Sequence, residues 1–379
     1  MPRKFAEAVR ILHLMSAPPQ RPQKTLSPGA TWTSRQLLVW IKDHLAAKGV
    51  DSPQVCAELL VAHVLGCDRL RLYMEPDRVA STEQREVLRA LVGRAAKHEP
   101  VQLLVGTWPF HGRELEVGPC TLIPRPATET LVDRALEEVK RRGPREVWRM
   151  LDLCTGSGCI AVSLAAAIQA LRDGRVSSRM NQEVVEQTTE DEQAVEDLPV
   201  LDLDLQPVSG MYQEDAPPSN EVQADDMTGQ LSFIATDIVE DALALAQRNC
   251  ARVGVTDLLE LRLGSLYDPL HSNEAKSFNL ICANPPYVSD AEYEELDRNV
   301  RDYEPATALR GGPYGLNLVE PIIRSSPEWL CCGGLLLVEI GHAMHERVRE
   351  IAIETPGLRD IEILPDHEGY SRVLVARAE

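Results

Sequence analysis

Aromatic side chains and long apolar runs are scarce in this sequence. Only 4% of its 379 residues are aromatic, so a core must be built mainly from leucine, valine, alanine and isoleucine. No run of roughly eighteen apolar residues is present, which argues against a membrane-spanning helix. Basic residues are also outnumbered, 39 against 58 acidic ones, giving a formal net charge of −19. This balance disfavours a protein that binds duplex DNA by neutralising its phosphates.

The nine cysteines lack the spacings that define disulfide frameworks and zinc sites. Their number is odd, no pair has the C-x-x-C spacing, and no Cys/His cluster matches a zinc finger. Several lie within apolar segments, as Cys282 does. We therefore expect buried, reduced thiols, a reducing compartment and no bound metal.

Acidic residues are concentrated in residues 172–230, where fifteen acids accompany three bases. This segment has no sustained periodicity, few aromatics and several prolines, serines and glutamines. Such a composition cannot bury enough apolar surface to offset chain entropy, so the sequence predicts a disordered insertion in a folded domain. A tolerated surface insertion is favoured over a functional acidic arm.

The first 31 residues have the opposite charge. Five basic residues accompany a single acid, and apolar residues recur at helical spacing before Pro18. This pattern favours a mitochondrial transit peptide over a disordered tail, and therefore a eukaryotic, mitochondrial type of protein. The expected location is the mitochondrial matrix, with the cytoplasm as the alternative.

Residues 32–99 predict a small helical domain for recognition or support, with nothing catalytic in it. Capping residues mark the starts of three helices, at Thr33–Ser34, Ser52–Pro53 and Ser81–Thr82. Extended segments punctuated by glycine then predict a β-hairpin linker over residues 100–127. Thr128 is expected to cap the helix that follows.

Residues 128–379 predict an α/β domain, interrupted by the acidic insertion. The seven predicted strands are Arg149–Leu153, Ser232–Ala235, Leu259–Leu263, Phe278–Cys282, Gly334–Ile340, Leu358–Leu364 and Ser371–Ala376. Helical segments between most of them indicate βαβ units and a doubly wound, parallel sheet. Only Pro365–Tyr370 joins the last two strands, which is too short for a crossover helix. An antiparallel hairpin at the sheet edge is therefore expected.

A glycine-rich turn, Asp152–Gly158, follows the first of these strands and opens a helix. Glycines let a ligand approach the backbone, and a helix N-terminus offers unpaired N–H groups. The turn lacks the third glycine of the dinucleotide fingerprint and the Gly-Lys-Ser/Thr of a phosphate loop. Asp237 ends the second strand, where an acid can accept both hydroxyls of a ribose. The alternatives are a simple tight turn and an acid that caps the next helix.

The sequence Asn284-Pro285-Pro286-Tyr287 follows the fourth strand. Two prolines fix the backbone and remove N–H donors, which leaves nearby carbonyls available. The oxygens of Asn284 and Pro285 suit a planar –NH2 group, beside the flat face of Tyr287. A rigid β-turn is the alternative, disfavoured because ligands bind at the carboxyl ends of such strands.

Three motifs in this order resemble the HemK/PrmC family of class I methyltransferases, which use S-adenosylmethionine. They are Ile-Pro-Arg-Pro at 123–126 with Thr128-Glu129, Asn-Pro-Pro-Tyr-Val at 284–288, and the segment from Tyr-Glu-Pro to Gly-Leu at 303–316. The resemblance covers about residues 33–171 and 231–377. It implies the seven-stranded, Rossmann-like class I fold. It also implies methyl transfer to the glutamine N5 in the Gly-Gly-Gln motif of class-1 peptide chain release factors.

The resemblance also implies roles for individual residues. The turn would contact the methionine part of the cofactor, Asp237 its ribose and Leu266 its adenine. The turn residues concerned are Cys154, Thr155, Gly156, Ser157 and Gly158. Asn284 would contact cofactor and substrate, and the glutamine amide would be held by Asn284, Pro285, Pro286 and Tyr287. Asn284, Pro285 and Tyr287 form the implied catalytic set, and the helical domain would bind the release factor.

Three positions depart from the family pattern. Cys154 replaces a glycine, Ala127 replaces a glutamate, and Ser265–Leu266 stands where an acid and often a larger residue occur. These departures leave open an inactive fold kept as a binding protein. An adenine-N6 nucleic-acid methyltransferase is the other alternative, because an exocyclic amine presents the same geometry, although the acidic charge disfavours it. We predict direct transfer by a monomer, without metal or covalent nucleophile.

Overall fold

The computed structural model describes residues 32–174 and 229–379. The predicted basic tail and nearly all of the predicted acidic insertion lie outside the described residues, so both remain predictions. The chain divides into two compact units, of which the first ends at Val105 and the second begins at Gly106. Among the described helices, none is both long and apolar enough to cross a membrane.

The first unit is helical, as predicted. Its helices are α1 (Ser34–Ala47), α2 (Pro53–Leu65), α3 (Arg69–Met74), α4 (Thr82–Ala95) and α5 (Val101–Val105). The three predicted starts are confirmed. Thr33 and Ser81 form capping boxes with Gln36 and Gln84, and Pro53 occupies the first turn of α2. The apolar faces of these helices pack into one core.

The prediction of extended backbone over the first residues of the linker is wrong. The Leu103 N–H donates to the Pro100 carbonyl at 3.1 Å, and residues 101–105 form helix α5. Val101 and Leu104 are buried in the helical core. Proline suits the first turn of a helix, and burial in a core overrides a weak local preference for extended structure.

The second unit begins with the predicted hairpin, an antiparallel pair of β1 (Thr107–Phe110) and β2 (Arg113–Glu116). Helix α6 (Pro126–Arg142) follows. The prediction that Thr128 caps this helix is wrong, because the N-cap is Arg125. The fixed φ of Pro126 suits the first helical position, so the helix begins three residues earlier than predicted and Thr128 lies buried in its first turn.

A seven-stranded sheet forms the centre of the second unit. Its strands are β3 (Trp148–Leu153), β4 (Leu231–Asp237), β5 (Leu259–Leu263), β6 (Phe278–Ala283), β7 (Leu330–Glu339), β8 (Leu358–Pro365) and β9 (Ser371–Ala378). The accompanying helices are α7 (Cys159–Arg172), α8 (Glu240–Val253), α9 (Asp290–Glu295), α10 (Arg298–Arg301), α11 (Val319–Trp329) and α12 (His345–Glu354). The order β5-β4-β3-β6-β7-β9-β8 is parallel except for β9, which is antiparallel to both neighbours. The predicted class I methyltransferase fold, with its C-terminal hairpin, is confirmed.

Alternate strand residues face two separate cores. In β3, Met150 belongs to the core that includes residues of α6, α7 and α8, whereas Leu151 belongs to the core with α11 and α12. The sheet is therefore covered on both faces, as a parallel sheet requires. β3 lies between β4 and β6, where the strand order reverses. Ligands of doubly wound sheets bind at the carboxyl ends of strands at such a point.

Arg172, at the end of α7, forms hydrogen bonds with residues that precede β3 and β4. Its guanidinium donates to the carbonyls of Pro144, Glu146 and Gly229 at 2.6, 2.7 and 2.6 Å. The Gly229 N–H in turn donates to the Arg145 carbonyl at 2.9 Å. A Cβ at Gly229 would lie 2.5 Å from the Glu146 backbone, so this approach requires glycine. The end of α7 and the start of β4 are thereby held together.

Candidate active site

The predicted site residues lie at the carboxyl ends of four adjacent parallel strands. The turn 154–158 follows β3, Asp237 ends β4, Leu266 lies beyond β5 and Asn284 follows β6. The last residues of β3 pair in register with the last residues of β4 and of β6. The fold therefore brings together residues that are far apart in the sequence.

The glycine turn uses left-handed backbone at three positions. The φ angles are 57° at Cys154, 55° at Gly156 and 77° at Gly158. A Cβ at Gly158 would lie 3.1 Å from the Ala246 Cβ, so glycine also permits close packing against α8. Cys154 holds a left-handed conformation that favours glycine, so its side chain adds backbone strain at this position.

Two carboxylates lie beside the turn. Asp237 accepts the N–H groups of Gly156 and Val239, each at 2.9 Å, so it fixes the turn as well as the start of the next helix. Asp152 is buried, and its Oδ2 accepts the Thr155 hydroxyl at 2.6 Å while Oδ1 has no partner. Burial raises the pKa of Asp237 and raises that of Asp152 to about 7. Raised carboxyl pKa values are enriched at functional sites.

Hydrogen bonds connect the loop after β5 to the same turn. The Thr155 N–H donates to the Thr236 carbonyl, and the Thr236 hydroxyl donates to the Leu266 carbonyl, both at 3.0 Å. Leu266 is itself left-handed, with a φ of 46°. Leu266, which is predicted to flank adenine, is thus linked through Thr236 to the turn 154–158, which is predicted to contact methionine.

The Asn-Pro-Pro-Tyr loop is anchored by its two polar side chains. Asn284 Nδ2 donates to Thr128 Oγ1 at 3.1 Å, which leaves the side-chain oxygen for another partner. The Tyr287 hydroxyl donates to Oε1 of Glu339 at 3.0 Å, and Glu339 is fully buried. Burial and the neighbouring Glu339 raise the pKa of Tyr287, so the phenol remains a donor. Pro285 follows Asn284 in the chain and is buried. Its carbonyl is the second predicted acceptor.

Glycines of the third motif, residues 303–316, pack closely against the Asn-Pro-Pro-Tyr loop. The Gly311 N–H donates to the Val288 carbonyl at 2.8 Å. A Cβ at Gly311 would lie 2.7 Å from the Pro286 oxygen, and one at Gly315 would lie 2.2 Å from the Tyr287 oxygen. These glycines are therefore required by the close approach of the loop that carries Asn284.

Buried Glu304 joins the third motif to the first. Its carboxylate accepts the Ile123 N–H at 2.9 Å and an Arg125 N–H at 2.5 Å. The sequence identified these motifs without giving Arg125 or Glu304 a role. It also missed Thr128 and Glu339 as partners of the loop. An acid directly after the apolar run of β7 was the available signal for Glu339.

The donors and acceptors at the strand ends suit S-adenosylmethionine. Asp237 is only partly buried and offers a carboxylate for ribose hydroxyls, and Asp152 has an unpartnered oxygen beneath the turn. A Cβ at Gly156 would meet nothing nearer than Thr121 at 3.8 Å, so the turn leaves space there. Within residues 32–174 and 229–379, no group of three or more His, Cys, Asp or Glu residues is arranged to hold a metal ion.

Comparison with known proteins finds relatives over most of the chain. Residues 36–106 match the family model of the PrmC N-terminal domain. The release factor glutamine methyltransferase of Rhodopirellula baltica is 31% identical, over 90% of this chain and 95% of that protein. The corresponding protein of Geobacter sulfurreducens is 34% identical, over 91% and 97%. That of Nitratidesulfovibrio vulgaris is 32% identical, over 91% and 95%. The chain therefore belongs to the release factor glutamine methyltransferase family.

Proposed function

We propose that this protein transfers a methyl group from S-adenosylmethionine to the side-chain amide nitrogen of a glutamine in a class-1 peptide chain release factor. The glutamine is that of the Gly-Gly-Gln motif, and the product is N5-methylglutamine. The observation that carries this proposal is the orientation of Asn284. Its –NH2 group is held by Thr128, so its oxygen is free to accept an N–H from a substrate amide.

The two acceptors of the loop would hold the glutamine nitrogen. The Asn284 oxygen accepts one amide hydrogen and the Pro285 carbonyl accepts the other, so the plane of the amide is fixed. When bound, S-adenosylmethionine supplies a methyl group on a positively charged sulfur, which is reactive without further activation. Orientation by the loop therefore accounts for much of the rate, with about 7–11 kcal/mol as the upper range for such effects. The nitrogen gains a methyl group and loses one proton to solvent.

The two alternatives have less support. An adenine amine has the geometry that Asn284 and Pro285 suit, but the relatives are named for a protein substrate and the chain is acidic. An inactive binding protein would not need the Asn284 orientation, the Asp237 contacts and the supporting glycines together. The departures at Cys154, Ala127 and Leu266 leave these contacts in place.

Mass spectrometry of a purified release factor, incubated with this protein and S-adenosylmethionine, tests the proposal. We expect one added methyl group on the glutamine of the Gly-Gly-Gln motif. Asn284→Ala should lower the rate by about 100- to 1,000-fold, because one oriented hydrogen bond at a reacting group is lost. Cofactor binding without methylation of any release factor would reject this function, and methylation of DNA or RNA would favour the adenine alternative.

We propose further that the protein is monomeric and that it acts in the mitochondrial matrix. The matrix assignment rests on the basic, acid-poor residues 1–31. Imaging of the full chain with a C-terminal fluorescent protein, compared with a chain lacking residues 1–31, tests it. Cytoplasmic fluorescence from both would reject it. We also propose that the helical unit binds the release factor, and removal of residues 32–105 should then abolish capture of that substrate.

A further inference from the structure

A groove between α1 and α4 lies on the helical unit and has no part in the proposed reaction. Its apolar lining comes from Leu37, Trp40 and Ile41 of α1 and from Leu88, Val92 and Gly93 of α4. The leucine, isoleucine and valine residues of this set are buried, so the inner surface of the groove is apolar. Its volume is about 180 Å³. An apolar cavity of roughly 150 Å³ holds a benzene ring, so the groove can accept one large apolar side chain.

Gly93 keeps this groove open. It lies in the last turn of α4, where glycine costs up to about 1 kcal/mol relative to alanine. A Cβ at Gly93 would meet no atom within 4 Å, and its φ is not in the left-handed region. Neither packing nor backbone conformation in the described part of the chain therefore requires glycine at this position. A ligand that approaches the helix closely would account for it.

The charged side chains that line the groove are cationic. Arg85 and Arg89 lie one helical turn apart on α4, and within the described residues no acid lines the groove. Arg89 is exposed, although the chain as a whole has a net charge of −19. Opposite charges favour association and like charges suppress it, so the groove fits an acidic partner. The two arginines therefore predict an acidic segment beside the apolar side chain that enters the groove.

Trp40 gives the groove an aromatic face in a fixed orientation. Its ring stacks on His44, with centroids 5.0 Å apart, and meets Trp32 edge to face at 6.4 Å. A side chain that is already ordered loses little entropy when a partner binds. Tryptophan and arginine are also the residues that most often carry the binding energy of protein interfaces. An apolar groove with these residues suits an amphipathic helix of a partner protein.

We propose that the groove between α1 and α4 binds an acidic amphipathic helix of the release factor. One large apolar side chain of that helix would occupy the groove, with acidic side chains beside Arg85 and Arg89. This inference rests on the proposed function and deepens it, because it names the surface of the helical unit and the chemistry of the segment that it recognises. The groove belongs to the helical unit and not to the strand ends, so it contributes affinity for the substrate.

Surface plasmon resonance with the full chain immobilised and a purified class-1 release factor in solution tests this assignment. Arg89→Glu reverses one charge of the groove, and we expect the affinity to fall about tenfold, with a smaller loss at high salt. Arg71→Glu is the matched control, because Arg71 is exposed on α3 and does not line the groove. It should leave the affinity unchanged. An equal loss in both variants would overturn the proposal, since it would reflect net charge alone.

Two substitutions on α4 form a second matched pair. Gly93→Leu fills the groove and should lower the affinity about tenfold, whereas Ala90→Leu, at an exposed position outside the groove, should not. Gly93→Ala should raise the melting temperature, because alanine favours the helix, and yet weaken binding about threefold. A variant that is more stable but binds less shows that the loss does not come from unfolding.

Methylation kinetics separate the groove from the active site. In Arg89→Glu and Gly93→Leu we expect the KM for the release factor to rise while kcat is unchanged, as for a contact made equally before and during transfer. Parental affinity in both variants, with a parent that methylates the release factor, would overturn the groove assignment alone. A parent that binds S-adenosylmethionine but neither captures nor methylates a release factor would reject the proposed function and this inference with it.

Discussion

Acidic residues at the two ends of the central sheet have opposite surroundings. Towards the amino ends of the strands, Glu138 is bound by Arg141 and Arg377, and Glu274 is bound by Arg149 and Arg262. Although burial opposes the shift at Glu138, these contacts lower the pKa of both acids to about 2.

The carboxyl ends of the strands carry Asp152, Asp237 and Glu339. In the described part of the chain none of these three forms an ion pair, and burial raises the pKa of each. At the amino ends of the strands, arginines thus pair with the acids. At the carboxyl ends, the acids have no cationic partner and can interact with a ligand. The carboxyl end of the sheet therefore gives up stability that the amino end retains, as expected where acids serve a ligand.

The largest difference between the two ends should be in stability. Glu138→Gln leaves two arginines beside a neutral group, and we expect the free energy of unfolding to fall by about 3–5 kcal/mol. Glu339→Gln removes an unpaired buried charge and should not lower stability. Urea denaturation of both variants measures the contrast, and equal losses would contradict it.

Two glycines with nearly the same backbone give the next largest contrast. Gly315 and Gly333 have φ angles of 72° and 71°, but a Cβ meets the Tyr287 oxygen at 2.2 Å in the first and nothing within 4 Å in the second. We expect Gly315→Ala to displace the loop and reduce methyl transfer about 100-fold. Gly333→Ala should cost only about 1–2 kcal/mol of stability, from its left-handed backbone. A rate loss in both variants would show that backbone strain alone is responsible.

A smaller effect is expected on cofactor binding. Asp237→Asn removes a charged acceptor from the turn, and the affinity for S-adenosylmethionine should fall about tenfold, in line with a hydrogen bond to a charged group. Glu274→Gln, the matched change at the other end, should lower stability and leave this affinity unchanged. Isothermal titration calorimetry of both variants with S-adenosylmethionine measures these affinities. An unchanged affinity in Asp237→Asn would remove Asp237 from the cofactor site.

The last expected difference is in the pH dependence of stability. The pKa of Asp152 is about 7 in the folded protein and ordinarily 3.8, so between these values the folded state keeps a proton that the unfolded chain has lost. Asp152 therefore makes stability fall as pH rises through this window, and the effect is complete above pH 7. Asp152→Asn lacks this proton, and its stability relative to the parent should rise by about 1 kcal/mol per pH unit across the window. A difference that is constant with pH would contradict the raised pKa.

The sequence predicted the fold well because a sheet covered on both faces needs apolar strands, and β6 and β7 contain the uninterrupted apolar runs Leu280–Ala283 and Leu335–Val338. Short helices were harder to predict from the sequence. Helix α3 has only six residues, and α5 forms because Val101 and Leu104 are buried in a core that no local pattern reveals. The predicted end of the linker, at residue 127, was wrong because Pro126 already begins α6, before the cap predicted at Thr128.

The site was predictable where its chemistry is local in the chain. The glycine turn, Asp237 and the Asn284 loop each carry their own pattern of residues beside a strand. The contact between Thr128 and Asn284 depends on where α6 packs, and that between Tyr287 and Glu339 on β6 and β7 being neighbours. Such pairings depend on tertiary packing, which no local pattern in the sequence reveals.

Arg172 joins three segments of the second unit through one side chain. Its guanidinium donates to the carbonyls of Pro144, Glu146 and Gly229, so the end of α7, the segment before β3 and the segment before β4 share one anchor. The entry of β4 beside β3 is therefore fixed by a single cation at the end of a helix.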